Sequence, residues 1–381
     1  MSSDPIKILV IGDPHFKVSN VRDTDSMVDA ICSIALSKPL DIIVVLGDVL
    51  DRHEVIHVSP LTRSIKFLSR LQLIAPTYVM MGNHDLRNWR EFLSDEHPFT
   101  SLKFWGPSMT VVDTTTLISI RGQTLVFVPY VAPGRYVEAL NFCPGWQSAS
   151  CIFGHQEIRG AHMGPIISTE GDLWPLSNPF TVLGHIHDYH ELQPNVLYVG
   201  TPIQQSFGDR HDKTISYFTI FSPSSRLHDR IDLCLPRKHI LRINSSDVSS
   251  YILPSSGDFR IIISGTSAQL KAIITHPSIH SWTLSGHKII YRDIPLDKPD
   301  LSIDRSSSPL PRFSSLLYTS VSSNSRLIPL FTLIFGPPKL NFIDRLSLKI
   351  LLPPPISLPS PSLLSIYPSI KLSLSPHLIL S

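Results

Sequence analysis

The chain has 381 residues, with 33 Lys+Arg against 31 Asp+Glu and a formal charge of +2. Charged residues make up 17%, under the roughly 25% usual for a globular domain, and the near-even balance of the two signs excludes a highly basic protein that coats nucleic acid by charge alone. Four cysteines, none in a CxxC pair, argue against a disulfide framework or a zinc ribbon and suit a reducing compartment.

Ile6–Ile11 is an apolar run that stops at Gly12-Asp13-Pro14. It is too short for a signal peptide and reads as a strand buried on both faces. Asp25 to Leu36 places Met27, Ile31, Ile34 and Ala35 at helical spacing, and Leu61 to Leu71 repeats the pattern with Ile65, Leu68 and Leu71. Between them Ile42–Leu46 is a second buried strand; Thr77–Met81 follows Pro76 as a third. Further strands are predicted at Thr124–Val128, Cys151–Phe153, Thr181–Leu183, Val196–Val199 and Ile215–Phe221. Alternating β and α implies an α/β fold with a mostly parallel sheet in the first half. The later strands lack long helices between them, which predicts a second, more antiparallel sheet.

The pattern stops near Ser222, so residues 1–222 read as one domain. A small α+β unit is predicted for residues 236–300, with strands at Ile240–Ile243, Phe259–Ser264 and Lys288–Tyr291 and a helix at Ser267–Thr275. It is small for an independent core and is expected to pack on the first domain. Residues 301–381 form a low-complexity tail: 19 Ser, 19 Leu and 12 Pro fill 50 of 81 positions, and 7 Lys+Arg against 2 Asp+Glu give +5. Its prolines and serines break helix and sheet, so it is expected to be disordered. Residues 1–300 are left with 26 basic and 29 acidic groups, net −3. No apolar run is long enough to span a membrane. The expectation is an intracellular protein, cytoplasmic or nuclear, with no membrane partner.

Five polar motifs each follow a predicted strand: Gly12-Asp13-Pro14-His15, Gly47-Asp48-Val49-Leu50-Asp51-Arg52, Gly82-Asn83-His84-Asp85, Gly154-His155 and Gly184-His185-Ile186-His187. In α/β sheets the loops beyond the carboxyl ends of strands converge on one crevice. A glycine ahead of each polar residue lets the backbone turn sharply. Two neighbouring divalent cations need several neutral imidazoles and one shared anionic oxygen, for which Asp48 is the natural bridge. Metals about 3.5–4 Å apart clamp a phosphate, activate a water and stabilise both the attacking and the leaving oxygen. Mixed His/Asp/Asn ligation suits Mn²⁺, Fe²⁺ or Zn²⁺ better than an all-oxygen Mg²⁺ site. One such motif alone says little; five in this order are specific.

The order D-x-H, GDxxDR, GNHD, GH, GHxH resembles the calcineurin-like metallophosphoesterase superfamily over about residues 5 to 222. The resemblance implies a four-layer α/β/β/α sandwich and a hydrolase using two divalent metal ions, with Mn²⁺ the first choice. One metal would be held by Asp13, His15, Asp48 and His187, the other by Asp48, Asn83, His155 and His185. His84 would face the scissile phosphate as proton donor or electrostatic stabiliser, and Asp51 is expected to orient it through a hydrogen bond. Tyr198-Val-Gly-Thr-Pro-Ile-Gln-Gln-Ser-Phe-Gly-Asp209 resembles the Y-x-G-S…S-F-x-E stretch of SbcD-type DNA repair exonucleases, with Thr201 for Ser and Asp209 for Glu. The unit at 236–300 resembles their capping domain.

These likenesses imply a nuclease of exo- or endonucleolytic mode, with Thr201 and Ser206 at the substrate. Arg52 and Arg87 are further substrate-binding candidates, and Arg90, Arg210 and Lys213 also lie near the motifs. The alternative is a small-molecule or nucleotide phosphatase or phosphodiesterase of the same superfamily. His53 in place of Gly after GDVLDR, and GNHD in place of GNHE, argue against a protein phosphatase. The SbcD-type nucleases partner with an SMC-like ATPase through segments beyond the cap; the tail occupies that stretch here, which argues against such a partner. A homodimer stays open. With net −3 in residues 1–300, DNA would have to be bound through a local groove and the metals.

Overall fold

The computed structural model describes residues 4–294 together with residues 327 and 328. The disordered tail expected at 301–381 therefore lies outside the described residues, those two positions apart. The described residues up to 294 belong to one compact unit. In chain order it holds β1 (Ile6–Ile11), α1 (Val21–Ser37), β2 (Ile42–Val45), α2 (Val58–Gln72), β3 (Thr77–Met80), β4 (Met109–Val112), β5 (Thr116–Ile120), β6 (Gln123–Val128) and α3 (Tyr136–Leu140). It continues with β7 (Cys151–His155), β8 (His162–Met163), β9 (Ile166–Ile167), β10 (Thr181–Gly184), β11 (His190–Gln193), β12 (Val196–Tyr198), β13 (Ile215–Ser222) and β14 (Ser225–Ile231). It ends with β15 (Lys238–Asn244), β16 (Asp258–Gly265), α4 (Ser267–Ile273), α5 (Pro277–Leu284) and β17 (Lys288–Asp293).

Two six-stranded sheets lie face to face, in the orders β14-β13-β1-β2-β3-β4 and β11-β12-β10-β7-β6-β5. In β1, Leu9 and Ile11 pack with Met27 and Ile31 of α1 and Phe67, Leu68 and Leu71 of α2. Ile8 and Val10 turn the other way and meet Phe127, Phe153, Val182 and Val199 of the second sheet. A strand with both faces buried carries no polar alternation, which is why these runs are continuously apolar. α1 ends because Lys38 precedes Pro39 and is held extended (φ −118°, ψ 144°). Pro60 is tolerated because it lies in the first turn of α2, where no intrahelical N–H bond is lost.

The second sheet departs from expectation. Its centre is parallel, with β6–β7, β7–β10 and β10–β12 all parallel; only the edge pairs β5–β6 and β11–β12 are antiparallel. A parallel crossover needs a dozen or more residues, but those residues need not be helical. Residues 129–150 and 156–180 supply the length largely as loops. The outer layer on this sheet is accordingly thin: five-residue α3, with Tyr136, Trp146 and Trp174 covering Val126, Val128 and Ile152. The first sheet also continues past Ser222, since the β13–β14 hairpin adds another edge strand.

The last three strands form a separate parallel sheet, β15-β16-β17, with Phe259, Ile261 and Ile263 packed against Leu270 of α4 and Ile279 and Trp282 of α5. A single helix was expected here. Pro277 instead opens a second helix, and the His276 ring accepts the Ser278 N–H at 3.2 Å as its cap. Gln204 clamps this sheet to the two large sheets' side of the unit. Its amide donates to the Lys238 carbonyl at 3.1 Å and accepts the Lys238 N–H at 2.7 Å. Lys238 Nζ reaches Asp23 of α1 at 2.7 Å. Among the described residues no helix is long and apolar enough to cross a membrane.

Gln204→Ala removes the two amide bonds to Lys238 and a third to the Asp209 carbonyl, and leaves two half-buried backbone groups of β15 without these partners. The unfolding free energy should fall by about 1–3 kcal/mol, read as a lower urea midpoint with the dependence on urea unchanged.

Candidate metal centre

Parallel strands from both sheets deliver the polar motifs to one edge of the sandwich. Asp13 and His15 follow β1, Asp48 follows β2, and Asn83 and His84 follow β3; His155 ends β7, and His185 and His187 follow β10. The donor atoms of Asp13, His15 and His187 lie within 4.8 Å of one another, and so do those of Asp48, His155 and His185. Asp48 Oδ2 stands between the sets, 3.8 Å from His15 Nε2 and 3.4 Å from His155 Nε2. Asn83 Oδ1 sits 2.8 Å from His185 Nδ1 and 3.1 Å from His155 Nε2. All seven residues expected to hold metal are thus brought into one cluster.

Close approach of the loops, more than tight turning, explains the glycines. Gly47 alone of the five has a positive φ, at 101°. A Cβ on Gly82 would lie 2.2 Å from Asp48 N and Oδ1, one on Gly184 2.5 Å from Asp13 Oδ1, and one on Gly12 1.8 Å from the Gly200 carbonyl oxygen. The donors themselves carry the backbone strain. His15, Asp48 and His185 have φ of 47°, 46° and 82°, a region that side chains with a Cβ rarely adopt.

The donor set fits a cation. His155 Nδ1 bonds the Leu46 carbonyl oxygen at 2.8 Å, which as donor leaves the Nε2 lone pair facing the oxygens of Asp48 and Asn83. Asp13 Oδ1 is buried without a hydrogen-bond partner, while its Oδ2 accepts the His185 N–H at 2.9 Å. So many convergent acceptors are stable only around positive charge. Where protons are the only cations, they have to balance this charge. Burial pushes the Asp13 carboxyl up to about 8, with Asp48 adding to the rise and His155 opposing it. Burial disfavours a charged His155, but Asp48 and Asp13 outweigh it and raise the ring to about 9. Burial also works against a charged Asp48, yet His155, His15 and His84 hold it far below the usual carboxylate range. Burial, then the neighbouring His155, lowers His185 to about 3, and burial lowers His15 well below its ordinary value. Those two imidazoles are neutral, as metal ligands must be.

Two supporting groups escaped the sequence reading. Asp85 accepts the N–H groups of Val49 and Leu50 at 3.1 and 2.9 Å and of Gly82 at 3.0 Å, tying the second motif to the third. Burial and the Asp48 charge push its carboxyl up to about 7 against those bonds. The His187 carbonyl accepts from Lys213 Nζ at 2.6 Å and from the Thr201 N–H and Oγ at 3.0 and 3.3 Å. The signal was present in GNHD and in the run after GHxH, but a brace to backbone leaves no mark on spacing.

The remaining candidates disperse. His84 is one third exposed; its N–H bonds Asp48 Oδ1 at 2.8 Å, and its Nε2 lies 4.0 Å from Asp48 Oδ2. Asp51 faces Lys17 Nζ at 3.0 Å and His15 Nδ1 at 3.7 Å, on the His15 side of the cluster and not in a bond to His84. Thr201 is fully buried, so its hydroxyl supports the His187 backbone and has no surface for a substrate. Ser206 is exposed but bonds Asp209 Oδ1 at 2.6 Å. Arg87 is engaged by Glu91 and Glu96. Lys213 is buried, and Arg90 lies over the Trp89 ring. Arg52 takes no ion pair among the described residues and lines a cleft of about 260 Å³ with His84 and Arg87. A second cleft, of about 520 Å³, is lined by His185, His187, His162 and Arg210. The larger cleft is lined by two of the seven donors, His185 and His187; the smaller is lined by none of them and reaches the site through His84.

The calcineurin-like phosphoesterase family pattern matches residues 6–212. The chain is 39% identical over 276 residues to a protein of Invertebrate iridescent virus 6 designated phosphoesterase 244L, covering 71% of this chain and 97% of that one. It is 38% identical over 267 residues to one of Invertebrate iridescent virus 3 designated phosphoesterase 078R, covering 66% and 76%. Among solved structures, GAP50, the anchor in the inner membrane complex of Plasmodium, overlaps 61% of this chain and 85% of its own at 10% identity and a TM-score of 0.37, too distant to inform on function.

Ligation requires His155 and Asp13 to give up their protons. Titration with Mn²⁺ should therefore release protons, and the apparent affinity should fall as the pH drops below about 8. Calorimetry in buffers of different ionisation enthalpy reads the proton count directly.

Proposed function

The chain belongs to the calcineurin-like phosphoesterase family, and from that premise we propose that it is a two-metal phosphodiesterase acting on DNA, of the SbcD-like nuclease kind. Asp48 Oδ2 between the two donor sets carries the two-metal part of the reading. Two separate clefts, one lined by His84 and one by His185 and His187, support a diester: a phosphodiester bears two ester arms, and each needs a path away from the phosphorus. Arg52 in one cleft is free of any ion pair among the described residues, and Arg210 in the other is held only at 3.7 Å by Asp188. Both can meet flanking phosphates, which is where residues 1–300, with their net −3, must find affinity for DNA.

Two divalent cations, Mn²⁺ by this reading, would neutralise the phosphate charge and make a neighbouring water acidic. The protein's part is placement. Asp13, His15 and His187 define one position, and Asn83, His155 and His185 the other, with Asp48 common to both. The ring of His84 lies outside both donor sets while its backbone is tied to Asp48, so it can donate a proton or hydrogen bond to the departing ester oxygen.

Mn²⁺-loaded protein should hydrolyse bis-p-nitrophenyl phosphate and shorten end-labelled DNA. Cleavage of nucleotides or monoesters with DNA left intact would move the assignment to a small-molecule phosphatase. His84→Ala should lower kcat by about 10²–10⁴-fold while elemental analysis still finds two metals; unchanged turnover would remove His84 from the step.

A further inference from the structure

We propose that His53, two residues beyond the second motif's Asp51, is a positioning residue that holds the His84 imidazole in its working orientation by stacking on it. The proposal rests on the phosphoesterase reading above for its kinetic consequence but not for its geometry. The two rings are nearly parallel, with centroids 4.8 Å apart and an interplanar angle of 15°. The His15 ring meets His84 edge-on at 5.3 Å and 83°. His84 is thus bounded by one ring's face and another's edge, and the face is His53's alone among the described ring contacts.

Two further observations point the same way. The Nδ1 atoms of both His53 and His84 are buried without a hydrogen-bond partner. The ring of His84 therefore lacks the Nδ1–H bond that usually sets the orientation of a functional histidine, and packing has to do what a hydrogen bond does elsewhere. Asp51, the residue that could have supplied that bond, is drawn toward Lys17 and His15. The backbone beside His53 is also constrained. The Val55 N–H closes on the His53 carbonyl at 2.5 Å, and Glu54 between them has φ 58°. An i to i+2 closure through a non-glycine residue at positive φ is a rare, strained γ-turn, and strained residues persist where the surrounding structure demands them. Here the turn fixes the residue that carries the stacked ring, in a stretch where Val55 and Ile56 are otherwise exposed.

An aromatic pair is worth roughly the free energy of a several-fold population change, so loss of the stack should cut kcat by about five- to tenfold. His53→Ala should show that fall on bis-p-nitrophenyl phosphate, with KM and metal content unchanged. His53→Phe keeps a ring of similar thickness without nitrogens and should restore most of kcat. An Ala variant with wild-type kcat would overturn the proposal. So would a Phe variant as slow as Ala, which would assign the role to the imidazole nitrogens. A crystal structure of Mn²⁺-loaded His53→Ala gives a readout independent of turnover: His84 should occupy more than one ring orientation there and a single one in His53→Phe. One unchanged orientation in the Ala variant would refute the stack as a positioning device even if the wild-type protein hydrolysed no phosphodiester at all.

Discussion

The structure depends on one buried anion. The Asp48 carboxylate is withdrawn from water, with one oxygen bonded to the His84 N–H and the other facing the rings of His155, His15 and His84. A charge in that position costs several kcal/mol unless positive partners surround it. The neighbourhood is organised to provide them: imidazoles converge from four loops, and a cation or protons complete the balance. The same requirement explains why Asp13 and Asp85, two more carboxyls in the cluster, resist ionisation. Burial and the charge already on Asp48 both disfavour a second and third negative charge there.

Convergence from two sheets has a steric consequence. Loops that meet this closely leave no room for a Cβ at Gly12, Gly82 or Gly184, whatever their φ. It also forces His15, Asp48 and His185 into left-handed backbone, at about 1 kcal/mol or more apiece. Such strain needs bracing, and the braces are ordinary hydrogen bonds to backbone. Asp85 joins the second and third motifs. Lys213 and Thr201 hold the His187 carbonyl. Gln205 reaches the Pro14 carbonyl at 3.3 Å and accepts from Asn20 at 3.3 Å, while Gln204 beside it clamps β15. One short run after the last motif therefore ties the donor loops to the smaller sheet.

Much of the fold was legible. Ile6–Ile11 and Ile42–Val45 are strands because both faces are buried, and a continuous apolar run records that directly. α1 and α2 show one apolar stripe each and end where Pro39 and the start of β3 require. The direction of the second sheet was not legible. Parallel pairing there depends on long crossovers, and loops of 20 or more residues carry no periodic signal. β14 was missed because Ser222-Pro-Ser-Ser reads as a break when it is the turn of a hairpin. The split between α4 and α5 was readable in Pro277 but looked like a helix end rather than a junction.

The sequence by itself marked the candidate donors, because each lies at the end of an apolar strand or within four residues of it, and strand ends in α/β sheets share an edge; their grouping into two sets came from the family resemblance. It determined equally that a glycine would precede each motif. Tertiary structure alone decided which side chains remained available once folded. Thr201, Lys213 and Arg87 carry the right chemistry for a substrate, yet packing or nearby carboxylates engage them all. Asp51 was within reach of His84 in sequence, yet Lys17 claims it, and the ring that rests on His84 is His53. Spacing along a chain reports which residues a loop delivers; the partners those residues take depend on distances of 3 to 5 Å between separate loops, which no local pattern encodes.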